Sequence, residues 1–150
     1  GIWQASTAEQ PYGPSPHGRS WGDTPWKEAM HLPGSRQMGI GRRFLAELPW
    51  WELEPHNEWV EPAWDGKEVY RPLAAGIPKK LRLVYTPMAW NSPTVKGIEK
   101  GVHYTALWFD PTRGHRHPIG EVNADANGSW TPPIPGEVHD WVLVMRSTEG

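Results

Sequence analysis

Apolar positions along residues 24–55 recur at helical spacing, and from Trp64 onward they gather into short extended runs broken by turn residues. On a wheel of about 100° per residue, Ile40, Phe44, Leu48, Gly41, Leu45 and Met38 fall in one arc of roughly 160°. Arg36, Arg42, Arg43, Ala46 and Glu47 take the other side. The pattern predicts a helix over Ser35–Leu48, with Ser35 as its N-cap and Pro49 as its stop. Gly41 lies in the apolar arc, where a missing side chain would admit a close neighbour. Gln37 lies there too, and its amide would need partners if buried. A shorter helix is expected from Pro25 to about His31, because Asp23-Thr24-Pro25 is a helix-start pattern.

After an extended connector over Trp51–Pro62, the spacing of apolar runs predicts an all-β region. Strands are expected near Glu68–Leu73, Leu81–Thr86, His103–Phe109, His115–Ile119 and Trp141–Arg146. Leu81, Leu83 and Tyr85 share one strand face, and Arg82 and Val84 the other. Asp110-Pro-Thr-Arg-Gly114 reads as a hairpin loop, and Asn127-Gly128 as a turn. Asp140–Met145 is nearly all apolar, which suits a buried central strand. Five to seven such strands fit a small antiparallel β-sandwich. The fold class is therefore mainly β, with a helical portion whose apolar face has no second layer to lie on. The expected division is 1–58 and 59–150, and the chain reads as the tail of a longer protein.

The totals change this picture in three ways. A chain of 150 residues with a net charge of −2 has no basic field for nucleic acid and no polybasic run for a membrane surface. No apolar run reaches the length of a membrane span. The absence of cysteine removes disulfides and thiolate metal sites. Against that plain background, 16 Gly and 17 Pro demand many turns, and 11 Trp argue against disorder.

The series GIWQ, then PYGPSPHGRSWGDTPWKEAMHLPGSRQMGIGRRFLAELPWWELEP, resembles the end of the catalytic domain in apiosidase-like glycoside hydrolases. In those proteins a (β/α)8 barrel is followed by a β-sandwich often labelled a collagen-binding domain. The runs WVEP, LRLVYTP, ALWFDPTRG and HDWVLVM are similar to that sandwich. The resemblance implies that Ile2-Trp3-Gln4 ends the eighth barrel strand, on the face where barrel active sites form. Residues 5–26 become the following loop and the long helix the last of the barrel, so the N-terminal portion is the final strand–loop–helix unit of a truncated barrel. Hydrolysis by two carboxylates is implied, with both acids upstream of Gly1, so this chain alone is expected to be inactive and has no catalytic residue assigned. The substrate implied is a plant-type polysaccharide, with apiosyl side chains of pectin the family's known case. A secreted or periplasmic location follows from the same resemblance.

Within that frame Trp3 could stack on a sugar ring and Gln4 could bond its hydroxyls. Trp21, Asp23 and Trp26 would rim the pocket. Asp23 could instead cap a helix, and each Trp could equally be core. Partners are then an oligo- or polysaccharide reached through the missing barrel, and the rest of the polypeptide itself. The alternative is a non-catalytic carbohydrate- or collagen-binding sandwich. That reading needs exposed rings such as Trp64, Trp90 or Trp130, whereas a bracing role needs buried ones and a junction built on Trp50, Trp51 and Trp59. No metal or other cofactor is expected. His115 and His117 share a strand face but lack further ligands beyond Asp110 or His103. Asn123–Gly128 matches half a calcium loop, yet Ile134 stands where the closing acid is needed.

Overall fold

The computed structural model describes residues 7–9 and 24–149. Two compact units divide the chain, Gly1–Glu47 and Leu48–Gly150.

In the first unit, α1 spans Trp26–Ala29 and α2 spans Pro33–Ala46. Both begin and end close to the sequence expectation, with shifts that have local causes. Pro25 is the N-cap of α1 rather than its first residue. Pro33 occupies the first helical position of α2, where its missing N–H costs nothing. Ser35 is therefore inside the helix and not its cap; its Oγ donates to the Ala29 carbonyl at 3.3 Å. The helix stops at Ala46, not Leu48, because the residue before a proline is driven out of the helical region. Phe44 is buried, and Ile40 and Gly41 are half-buried. Met38 is 55% exposed and Leu45 43%. Gln37 is exposed, so its amide is free to meet water. A Cβ on Gly41 would meet nothing within 4 Å, so the close neighbour expected there is not found.

The second unit is the expected β-sandwich. Its large sheet is wholly antiparallel. Its strands are β1 (Glu54–Pro55), β3 (Leu73–Ile77), β4 (Leu81–Thr86), β6 (Tyr104–Phe109), β7 (Arg116–Glu121) and β8 (Trp141–Ser147). Their order is β1-β3-β4-β8-β6-β7. A ribbon of β2 (Val60–Glu61) and β5 (Thr94–Val95) forms the second layer, extended by a bridge from Val95 to Trp130. The core between the layers holds Trp59, Val60, Val84, Val95, Tyr104, Trp108, Trp141, Leu143 and Met145. As expected, Trp141–Ser147 is a central strand, bonded to β4 on one side and β6 on the other. The edges carry Pro55 and Pro118, which cannot extend a ladder and discourage pairing with other chains.

One strand departs from expectation. The alternation at Glu68–Leu73 is a turn region, and the strand is Leu73–Ile77 instead. Its Ala-Ala-Gly centre has low β propensity, but space decides here. A Cβ on Gly76 would sit 2.2 Å from the Leu81 carbonyl oxygen and 2.7 Å from the Trp59 ring, so only glycine fits.

Arg82 also faces the core. It is 1% exposed and its guanidinium lies 4.1 Å from the Trp59 ring centroid. Nη1 donates to the Lys96 carbonyl at 2.8 Å, Nη2 donates to the Gly97 carbonyl, and Nη2 pairs with Glu99 at 2.8 Å. The Tyr104 hydroxyl donates to Glu99 at 2.8 Å. A buried charge is tolerated only when paired and bonded in this way. Burial and the bond to Glu99 push the Tyr104 hydroxyl up to about 12. Burial would raise the Glu99 carboxyl, but bonds from Tyr104 and the Lys79 N–H outweigh it and hold it below the ordinary value.

Candidate functional site

Of the residues expected to touch a sugar, Trp3, Gln4, Trp21 and Asp23 lie outside the described residues. Trp26 opens α1 with its ring exposed, and the Lys27 ammonium lies 5.9 Å from the ring centroid. Among the described residues no group of three metal-ligating side chains converges. The half calcium loop is a turn: Asp125 Oδ1 accepts from the Asn127 and Ser129 N–H groups, and Gly128 takes φ +70°.

The hairpin after β6 carries a cluster of charges. Asp110 is buried and accepts from Thr112 N, Thr112 Oγ1 and Arg113 N at 2.6–3.1 Å. Arg113 Nη1 joins it to Glu137, at 3.1 and 2.9 Å. Burial pushes the Asp110 carboxyl up, but the Thr112 and Arg113 donors outweigh that and leave it below the usual carboxylate range. This is a brace that pins the hairpin to the segment before β8.

Among the concave regions of the sandwich, two have aromatic rings in their walls. A groove of about 340 Å³ has Trp108, Trp141, Pro133, Ile134 and Glu137 in its walls. Its two indoles are buried, and their N–H groups are already spent on the Pro133 and Glu137 carbonyls at 2.9 Å each. It therefore offers a ligand little beyond apolar wall.

The second is a cleft of about 170 Å³ between the turn before β3 and the loop after β4. Tyr70 and Trp90 stand over it, 55% and 56% exposed, with ring centroids 6.1 Å apart and planes at 51°. Four prolines, Pro62, Pro72, Pro87 and Pro93, build its sides. Thr86 and Ser92 also line it, and neither hydroxyl oxygen has a hydrogen-bond partner. Met88, a non-glycine residue, takes φ +50° in the same loop, a conformation that side chains rarely adopt. Glu68 and Arg71 sit on the rim with opposite charge, and Arg71 pairs with Asp65 at 3.3 Å.

The aromatic inventory is thus mixed. Trp64 and Trp90 are exposed, while Trp130 is half-buried against the core. Trp59 is buried inside the sandwich, stacked on His56 at 3.8 Å. Trp50 and Trp51 are both exposed on the 3₁₀ turn after Pro49. Trp90 was legible as a candidate from its type alone. Tyr70 was not, because local alternation placed it in a strand.

The family described as "Putative collagen-binding domain of a collagenase" matches residues 65–146, more than half of the chain. The chain belongs to this family. The matched span runs from the turn before β3 to the last strand, so the family's domain holds the cleft and the Asp110 brace. No curated protein matches the chain. A solved structure titled "Glycoside hydrolase" superposes with a TM-score of 0.73 at 21% identity, covering 94% of this chain and 31% of that one. A glycoside hydrolase family 5 protein from Bacteroides vulgatus ATCC 8482 gives 0.70 at 21% identity, covering 93% and 29%. The fold of this chain is therefore also found within two structures whose titles name a glycoside hydrolase. The chain spans about a third of the length of these structures.

Proposed function

We propose that this chain is the C-terminal portion of a glycoside hydrolase, in which the sandwich braces a catalytic barrel. The observation that carries this reading is the extent of the likeness, which takes in 94% of the chain and so reaches the helical unit as well as the sandwich. The apolar side chains left exposed on α1 and α2, Trp26, Met38 and Leu45, support it, since they suit a surface that the rest of a barrel would cover. Trp50 and Trp51 would be covered in the same way, as aromatic residues often are at interfaces. On the resemblance of the PGSRQM and PWW runs, the substrate is a side chain of a plant-type polysaccharide. The two acids needed for cleavage then come from elsewhere in the polypeptide, and Trp3, Gln4, Trp21, Asp23 and Trp26 contribute binding at the rim of the active site.

The experiment compares the purified 150 residues with the longer polypeptide that contains them, using aryl glycosides and pectic polysaccharide. The short chain is expected to show no turnover and the long one to release sugar. Turnover by the 150 residues alone, or an upstream sequence without repeated strand–helix units, overturns the reading.

A further inference from the structure

The geometry points to a saccharide-binding site on the sandwich itself, in the cleft under Tyr70 and Trp90, with a single neutral sugar ring of a polysaccharide as its occupant. Three observations converge there. The first is the pair of rings. Large aromatic side chains are normally buried, and these two are more than half exposed yet stand within 6.1 Å of each other. Their planes open at 51°, forming a wedge whose apolar faces match the C–H faces of a pyranose. The second is the polar floor. Thr86 is 3% exposed and its Oγ1 has no partner, and the Ser92 Oγ is likewise sealed and unpaired. A buried hydroxyl without a partner in the lining of a cleft is a cost that a polyhydroxyl ligand reaching it would relieve. The third is charge. Arg71 on the rim is already paired with Asp65 at 3.3 Å, which leaves Glu68 as the further charge there, so the site has nothing to draw an anion and a single carboxylate is all it offers a cation.

Size decides between a sugar and the other ligand that aromatic, proline-walled surfaces take, a polyproline-type peptide. Such a peptide needs a groove long enough for successive turns. This cleft holds about 170 Å³, close to the roughly 150 Å³ that suffices for one benzene-sized ring. The prolines belong to its walls, where they fix the loops that carry Tyr70, Met88 and Trp90. The site reaches beyond the bracing role and needs no catalysis in the longer polypeptide. A sandwich that braces but binds no sugar leaves the proposed function standing. Sugar binding by a chain from an inactive parent leaves the cleft standing.

The test is affinity electrophoresis of the full 150-residue chain in gels containing soluble arabinoxylan, galactan or xyloglucan. A triple-helical Gly-Pro-Hyp peptide is titrated in parallel by tryptophan fluorescence. At least one polysaccharide should retard the chain. Trp90→Ala and Tyr70→Ala should each weaken that retardation about tenfold, as loss of a central aromatic contact does. Trp90→Phe, which keeps a ring, should retain most of it, and Trp51→Ala, a change at an exposed ring outside the cleft, should retain all of it. Near-ultraviolet circular dichroism checks that each variant is folded. Should Trp90→Ala fail to fold, Tyr70→Ala and Thr86→Val carry the comparison, the latter removing only the unpaired hydroxyl. Retardation unchanged in the cleft variants, retardation by none of the three polysaccharides, or a response to the peptide alone would each overturn the assignment.

Discussion

The two units of this chain solve the same physical problem unequally. In the sandwich, apolar side chains from both layers meet, and the one buried guanidinium is bound on several sides. In the helical unit, Phe44 is buried, but Met30, Leu32, Met38 and Leu45 remain substantially exposed. Hydrophobic burial is the main driving term in folding, so the sandwich has its own reason to hold together and the helices have much less of one. The difference teaches that a β-sandwich can close its own core beside helices whose described residues leave much of their apolar surface open. It also gives the comparison a sharp form: changes inside the sandwich should cost stability in this chain, and changes on the helix face should not.

The largest expected effect is at Glu99. Replacing it with Ala leaves Arg82 buried without its carboxylate and strips Tyr104 and the Lys79 N–H of their acceptor. Breaking a buried pair from one side costs about 3 kcal/mol. For a unit of this size that lowers the melting temperature by more than about 10 °C, read by thermal denaturation. A change of only a degree or two would mean that the network is decoration and that the sandwich does not owe its rigidity to it.

A smaller effect is expected at Asp110, and it is one of pH. Its carboxyl is held below the ordinary value of 3.8 by the Thr112 and Arg113 donors. A lowered carboxyl contributes stability that is fully present above the unfolded value and is lost as pH falls through the folded one. The melting temperature should therefore drop as pH is taken below about 4, and it should drop less steeply in Asp110→Asn, which cannot titrate. Identical slopes in the two proteins would remove the hairpin brace from the account.

How much of this was readable from the chain differs between the same two regions. Strand Trp141–Ser147 was legible because its run Trp141–Met145 is apolar on both faces, and strand Leu81–Thr86 because Leu81, Leu83 and Tyr85 recur at a spacing of two. Leu73–Ile77 was not, since the reason for Gly76 is the Trp59 ring, supplied from 17 residues away. The direction of Arg82 was hidden for the same reason: its partners Lys96, Gly97 and Glu99 reach it through the fold and not through sequence neighbours. The cleft is harder still, because Tyr70 and Trp90 meet only when two loops are brought together. The helix was legible from its arc, but which residues of the arc are covered depends on surfaces that periodicity does not describe. The residues expected to line a sugar site fall almost wholly outside the described portion, and only Trp26 can be placed.

The smallest effect is the one that divides the units most cleanly. Leu45 lies on the apolar arc of α2 and is 43% exposed, and Arg43, on the polar side, is exposed as well. A carboxylate placed at either site meets water in this chain. Leu45→Asp and Arg43→Asp should then each shift stability by no more than about 0.5 kcal/mol, as surface changes do. In the longer polypeptide the two should part. If a barrel covers the arc, Leu45→Asp buries a charge with no partner and becomes strongly destabilising, while Arg43→Asp stays mild. Melting curves of both variants in both lengths of protein give four numbers, and only the Leu45→Asp variant of the long form should stand apart. Equal values for the two variants in the long form would mean that no wall lies on this face. The exposed leucine and methionine would then be ordinary surface, and the helical unit would need a different explanation from the one its apolar arc suggests.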